Sequence, residues 1–461
     1  MKRSLAHFSS AMGGTLVGPD AAFSGVSTDS RTIAAGELFV ALVGPNFDGH
    51  EFVAAAAARG AAGVVVTRKV PATLPQIVVG DTLQALQRAA ESWRAQFHIP
   101  VVAVAGSNGK TTTKELIATV LGGQGPCHST RGTLNNHIGV PLTLLGLDAR
   151  HTSAVIEIGA NHPGEVAALV PLVRPTVGLV TNAGAEHLEG FGDLDGVARA
   201  EGELFAGLDV GATALINADD PYANLWTEMS RAARRVSFGF TPTADFRAVG
   251  AFRRTGPSEA QQEFELVSPL GRARVRLALA GRHNVVNALG AAAAAHAAGA
   301  PLAVIAAGLE RMRPIKGRLQ LYTANSGARL IDDSYNANPS SLSAGLDVLA
   351  GFGGELWLVL GDMNELGSHS RDAHISAGRE ARARGVTRLF TVGSQTQEAV
   401  GAFGPGAEWF ADTAALSARV APLLSAAVTV LVKGSRSNHL ERVVDALRVG
   451  PDAGARVAEG T

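Results

Sequence analysis

The stretch that most constrains this chain is Val101-Val102-Ala103-Val104-Ala105-Gly106-Ser107-Asn108-Gly109-Lys110-Thr111-Thr112-Thr113. Five small or β-branched apolar residues in a row read as a fully buried strand, the kind found inside a parallel sheet. A Gly-rich turn follows at once. From Thr112 to Leu121 the apolar residues Leu116, Ile117, Val120 and Leu121 then recur with helical spacing. Strand, Gly-rich loop, Lys-Thr and helix make a phosphate-cradling unit: the glycines let backbone N–H groups turn towards an anion, and the helix N-terminus adds its dipole. Gly106, Ser107, Asn108, Gly109, Lys110, Thr111 and Thr112 are therefore assigned to an ATP site. Lys110 can reach the outer phosphates, and the Thr111 hydroxyl suits Mg2+. The loop is shorter than the usual G-x-x-x-x-G-K-[ST], because Val104 stands at the first Gly position. An ordinary turn before a helix is the competing reading, and the buried strand followed by Lys-Thr-Thr argues against it.

A chain of 461 residues suggests about three domains. It is 46% hydrophobic and 18% charged, enough for several cores. With 40 basic and 41 acidic residues, its charge gives no reason to expect a nucleic-acid or membrane-surface binder. One cysteine, Cys127, excludes an intramolecular disulfide and fits a reducing compartment. Ser4 to Thr15 lacks the continuous apolar core of a signal peptide, and no run reaches the length of a membrane span. The expectation is a cytoplasmic monomer.

Three segments follow. Residues 1–98 carry short apolar strands at Val64–Val66 and Ile77–Val79, then a helix capped by Asp81 and ending near His98. Their polar loops hold Ser30 and Arg31, then Asp48 and His50, which suit either ligand contacts or plain turns. Residues 99–312 alternate strands with helical stretches, as a mainly parallel sheet requires, with sites at strand ends. Ala154–Ile158 carries Glu157, and Val177–Val180 leads to His187. Residues 263–279 alternate apolar and polar around a Ser-Pro-Leu-Gly turn, an antiparallel annex with one wet face. Asp219-Asp220-Pro221 reads equally as a site or as an Asp-Pro turn. Residues 313–461 follow a Pro314–Arg318 linker and show buried strands at Leu356–Leu360, Arg388–Val392 and Val428–Val432, a second open α/β unit. The fold class is thus α/β in three domains. A central P-loop sheet with an antiparallel annex is followed by a C-terminal Rossmann-like domain.

The assembled motifs resemble one family along nearly the whole chain, the Mur ligases, ATP-dependent amino-acid-adding enzymes of peptidoglycan synthesis. The short Gly106–Thr111 loop is similar to that family's own form. Glu157 in Glu-Ile-Gly-Ala-Asn, His187 in His-Leu-Glu-Gly-Phe-Gly, Gly281-Arg282-His283-Asn284 and Lys433-Gly434-Ser435-Arg436 also match. Asp332-Asp333-Ser334-Tyr335-Asn336-Ala337-Asn338-Pro339, Gly361-Asp362-Met363-x-Glu365-Leu366-Gly367 and Asn135-Asn136-x-Ile138-Gly139-x-Pro141 resemble the dipeptide-adding branch. An Asn-Pro-Arg signature expected of the diaminopimelate-adding branch is missing. The chain departs from the pattern at Asn438-His439-Leu440, and at Glu201, where relatives carry a carbamylated Lys.

The resemblance implies that ATP activates the terminal carboxylate of a UDP-N-acetylmuramoyl-tripeptide (UDP-MurNAc-tripeptide) as an acyl phosphate, which the amine of D-Ala-D-Ala attacks. It implies Thr111, Glu157 and His187 as Mg2+ partners. Lys110, Glu157, His187 and Glu201 become the catalytic set, with Glu201 replacing the carbamate or lying on a solvated helix face. Asn284 would meet adenine or cap its helix, and Arg318 and Asp333 would face ATP. Asn135, Asn136, Asn336, Asn338, Lys433, Ser435 and Arg436 would contact substrate, although Asn336–Pro339 also reads as an Asx turn. Ser30, Arg31, Asp48 and His50 would hold the UDP-sugar. The rivals are another carboxylate–amine ligase of the superfamily and a P-loop protein that uses ATP as a switch.

Overall fold

The computed structural model describes residues 3–250 and 261–448. Three large sheets follow one another along the chain. The first has five strands, ordered Thr15–Val17, Gln76–Val78, Gly63–Val66, Leu38–Val40 and Val26–Ser27, parallel except at the Thr15–Val17 edge. The second has nine. Its strand Val101–Ala105 lies between Ser153–Glu157 and Val177–Val180, parallel to both, with Val102 opposite Val155 and Val177. The third has six, of which only the Gln320–Thr323 edge is antiparallel. The antiparallel annex is the hairpin Gln262–Ser268 and Gly271–Leu277, turning at Ser268–Gly271. No helix among the described residues is long and apolar enough to cross a membrane.

The chemistry of Val101–Ala105 explains its place. All five side chains are buried, so the strand needs cover on both faces. On one face lie the helices Lys110–Leu121 and Arg282–Ala297, sharing a core with Val102 and Val104. The second of these is buried from Ala288 to Ala295, and its small side chains let the backbone come close to the sheet. A Cβ on Gly290 would lie 3.1 Å from the Phe238 ring and 3.2 Å from Leu179. On the other face, Ala103 and Ala105 join a core that includes Trp93, Leu144, Val170, Leu204 and Phe205, and also Leu5 and Phe8 of the first segment.

Several boundaries differ from the sequence reading. The helix after the phosphate loop begins at Lys110 rather than Thr112, because Gly109 at φ 83° supplies the entry turn. The helix capped by Asp81 stops at Arg94, whose guanidinium donates to the carbonyls of Phe97, Val173 and Arg174 and so fixes the chain's exit.

The dense helix yields a stability prediction. Ala292 is completely buried against the sheet, so Ala292→Leu should overpack the core and cost about 1–3 kcal/mol. A thermal or denaturant melt should show the central transition move down, whereas an unchanged midpoint would mean that slack exists beside the helix.

Candidate active site

The parallel strands deliver their C-terminal ends to a cavity of about 610 Å³ between the second and third sheets. Its wall begins with the loop after Ala105. Gly106 is at φ 113° and Gly109 at φ 83°. A Cβ would sit 2.2 Å from Thr181 Oγ1 at the first and 2.6 Å from Asn287 Oδ1 at the second, so neither position accepts another residue. Asn182 clamps the loop with three hydrogen bonds. Its carbonyl accepts from Ser107 N–H (2.9 Å), its Oδ1 from Asn108 N–H (3.0 Å), and its Nδ2 donates to Asn108 O (2.8 Å). Ser107 Oγ accepts from Gly184 N–H at 2.8 Å. Gly106 N–H donates to Glu201 Oε2 at 2.6 Å.

Lys110 donates to its own loop, at 2.5 Å to Gly106 O and 3.1 Å to Ser107 O, and to Glu186 Oε1 at 3.1 Å. Burial alone would lower its pKa, but the charges of Glu186, Glu201 and Glu157 outweigh that and raise it. Lys110 is therefore a firmly held cation. Glu201 rides the helix Leu194–Ala206 among Val197, Ala198, Leu204 and Phe205, all buried. Burial pushes its carboxyl up to about 7, against the opposing pull of Lys110. The solvated-face alternative is overturned. Nor is Glu203 a free surface acid, since its carboxylate accepts the N–H groups of Gly164 and Ala167.

Glu157 ends its strand inside the cavity. Its Oε1 accepts from Asn135 Nδ2 at 2.9 Å and lies 3.4 Å from the Thr111 hydroxyl, while the buried Oε2 has no partner. An unpaired buried carboxylate oxygen beside a hydroxyl suits a hard cation such as Mg2+. No group of three or more His, Cys, Asp or Glu side chains gathers as a metal site among the described residues. A cation here would thus take much of its shell from phosphate and water oxygens, as Mg2+ commonly does. His187 lines the cavity, but its Nδ1 is 2.6 Å from Glu365 Oε2 of the third sheet's unit.

Asn284 also lines the cavity, in the first turn of a helix capped by Gly281, so the capping reading is corrected. Its Nδ2 donates to Ala280 O, and its Oδ1 accepts from Asn287 Nδ2. From the third unit come Arg318, Asp333, Asn336, Asn338 and Lys433. The Arg318 guanidinium stacks 4.0 Å over Tyr335 and reaches Thr111 Oγ1 at 3.5 Å. Lys433 is buried and paired with Asp333 at 2.5 Å. Asn338 caps the helix Pro339–Ala350 through a reciprocal box with Ser341, and its Nδ2 donates to Asn108 Oδ1 at 2.9 Å. It is both a structural cap and a contact to the phosphate loop.

Asn135 and Asn136 line the cavity too. Ser435 and Arg436 do not. Ser435 is buried and accepts from Asn364 N–H, and Arg436 pairs with Glu441. Ser30, Arg31, Asp48 and His50 also lie off the cavity wall. There, Arg31 pairs with Asp29, and Asp48 is shared by His50 and Arg68. Asp219 and Asp220 tie down backbone N–H groups of Phe240, Thr241, Ala183 and Tyr222, which explains that acidic pair structurally. Sequence reasoning missed Glu186, Asn182, Asn287 and Glu365. Only Glu186, adjacent to His187, carried a hint.

Comparisons with known proteins agree with this geometry. The Mur ligase middle domain matches residues 104–295, the Mur ligase glutamate ligase domain residues 317–436, and the Mur ligase catalytic domain residues 22–94. The chain belongs to the Mur ligase family. Within that family it is 43% identical to the UDP-N-acetylmuramoyl-tripeptide--D-alanyl-D-alanine ligase of Escherichia coli, over 96% of this chain and 98% of that protein. It is 37% identical to the enzyme of the same name from Haemophilus influenzae, over 92% and 93%. A crystal structure of MurF from Acinetobacter baumannii superposes with a TM-score of 0.89 at 34% identity, covering 96% of this chain and 98% of that one.

The raised Glu201 carboxyl has a measurable consequence. Below about 4.5 it is protonated folded and unfolded alike. Between there and about 7 the unfolded chain ionises first, so stability is lost as pH rises. Glu201→Gln, which can still accept from Gly106 N–H, should flatten the fall in Tm of the central unit across that window. An identical pH profile in the variant would remove Glu201 as its source.

Proposed function

We infer that this chain is an ATP-dependent ligase that joins D-alanyl-D-alanine to a UDP-N-acetylmuramoyl-tripeptide. The observation that carries the reading is the convergence on one cavity of the Lys110 loop and of Asn338, Arg318 and Lys433 from the third unit. A switch protein needs the loop alone, whereas a ligase must bring phosphate, carboxylate and amine together.

The chemistry follows from what meets there. A terminal carboxylate oxygen of the tripeptide attacks the γ-phosphorus of ATP, the bond to the β–γ bridging oxygen breaks, and ADP departs. The D-Ala-D-Ala amine then attacks the acyl carbon, the carbon–oxygen bond to phosphate breaks, inorganic phosphate leaves, and the nitrogen gives up a proton. Each step gathers negative charge, so catalysis is largely preorganised neutralisation. Lys110 and the N–H groups that open its helix, left over once Asn182 and Glu201 have taken those of the loop, hold the outer phosphates. Asn338, donating into the same loop, aligns the third unit's contribution. A bound Mg2+, held by the Thr111 hydroxyl and Glu157, would neutralise phosphate charge. Asn284 and Asn287 offer amide groups to the base, and Lys433, relieved in part by Asp333, can meet the dipeptide carboxylate. The substrates place the reaction in the cytoplasm. A monomer suffices, because one chain completes the cavity.

Lys110→Ala should lose ligation by at least about 100-fold, since one transition-state counter-charge of this kind contributes that much, and it should also melt earlier, because Glu186 loses its buried partner. Phosphate release should require both tripeptide and D-Ala-D-Ala. Release without an acceptor would favour the switch. Glu201 carries its carboxylate without carbamylation, so added bicarbonate should leave turnover unchanged. Stimulation by bicarbonate would show that another side chain carries a carbamate.

A further inference from the structure

The loop after the strand Glu355–Gly361 is braced along its length. Asp362 accepts the N–H groups of Gln395 and Thr396 at 2.9 and 3.0 Å. Met363 N–H donates to the buried His374 Nε2 at 3.0 Å, and Asn364 N–H to Ser435 Oγ at 2.9 Å. Met363 and Leu366 are themselves buried. Glu365 alone reaches out from this anchorage, and its backbone is held at φ 63°, a region that residues with a Cβ seldom adopt. Across the gap His187 is held at φ 49°. These two non-glycine residues meet with Nδ1 2.6 Å from Oε2, while Glu189 N–H donates to Glu365 O at 3.3 Å. Leu188 packs against both the central core and that of the third unit. Strain of this kind persists only where the surroundings impose it, and it concentrates at functional positions.

An ionised carboxylate 2.6 Å from Nδ1 favours the proton on that nitrogen, and a neutral ring so oriented keeps its lone pair on Nε2. That nitrogen makes no hydrogen bond to the described residues, and the ring borders the cavity. We propose that Glu365 is a positioning residue for the ligase reaction. By fixing the His187 ring, it presents Nε2 to a divalent cation in the cavity, so the cation site is complete only when the third unit is docked. The proposal rests on reading the cavity as a metal–nucleotide site. Its physical basis is general: a carboxylate behind a ligating imidazole sets the tautomer and the angle, and its loss weakens metal affinity about 10–100-fold.

The test uses the full chain with ADP, and Mn2+ as a paramagnetic probe titrated by electron spin resonance. Glu365→Ala should weaken Mn2+ binding about tenfold. Glu365→Met, which keeps the length but cannot accept from Nδ1, should match it and serves if the alanine variant folds poorly. Glu365→Gln, whose amide oxygen can accept from Nδ1, should recover most of the affinity. His187→Ala should be as weak as the double variant, because the two residues act as one unit. Wild-type affinity in the alanine and methionine variants would overturn the proposal, as would a glutamine variant no better than alanine or additive losses in the double variant. Failure of the unaltered chain to bind Mn2+ with ADP would count instead against the nucleotide reading itself.

Discussion

The backbone of Gly106 to Gly109 is the reference to which the rest of the cavity is built, and its shape is imposed from outside. Asn182 holds it on one side, Glu201 takes the first N–H, and Thr181 and Asn287 press on the two glycines. The loop continues directly from the strand Val101–Ala105, which is buried on both faces. An anion arriving at such a loop finds its donors already oriented, so little ordering remains to be done at the moment of binding.

Charge is distributed with equal care. A cavity meant for several anions is not simply cationic. Lys110 is matched by Glu186, and Lys433 by Asp333. A buried ammonium without a partner would shed its proton or destabilise the fold, so each cation is kept in company until a phosphate or carboxylate takes over. Glu201 sets the limit of this arrangement: burial displaces its ionisation upward to about 7, with Glu186 adding to the shift and Lys110 opposing it.

What could be read in the sequence was what is local. Five apolar residues, two glycines and Lys-Thr define a strand, a turn and a helix start within one short stretch. The annex hairpin announces itself by alternation around Ser268–Gly271. Glu201 lies four residues after Val197 and three before Leu204, so its place on a buried stripe was present in the spacing, although Glu203 beside it suggested water. Asn284 illustrates the opposite limit: an Asn near a helix start reads as a cap, yet the positive φ of Gly281 had already begun the helix. Asn182 and Glu365 were not legible as site residues, and Glu186 only through its neighbour His187, because each works through a partner distant in the chain that the fold brings near. The polar loops at Arg31 and Asp48 are legible as loops; Arg31 pairs with Asp29 within its own loop, whereas Arg68, the partner of Asp48, comes from further along the chain.

The cores divide the molecule unevenly. The one containing Trp93 and Phe8 runs without a break into Leu144, Val170 and Phe205, and Trp93 and Arg94 add hydrogen bonds to Leu147, Val173 and Arg174. The third sheet instead has two cores of its own, one of which reaches Ala280 and Leu188 of the central unit, and it meets the phosphate loop through polar side chains. Mechanically the protein is a block and an arm. A cut near residue 98 would leave two halves that still share one core. Damage to the seam beneath Trp93 would soften the site from behind, without touching a single residue that faces the cavity.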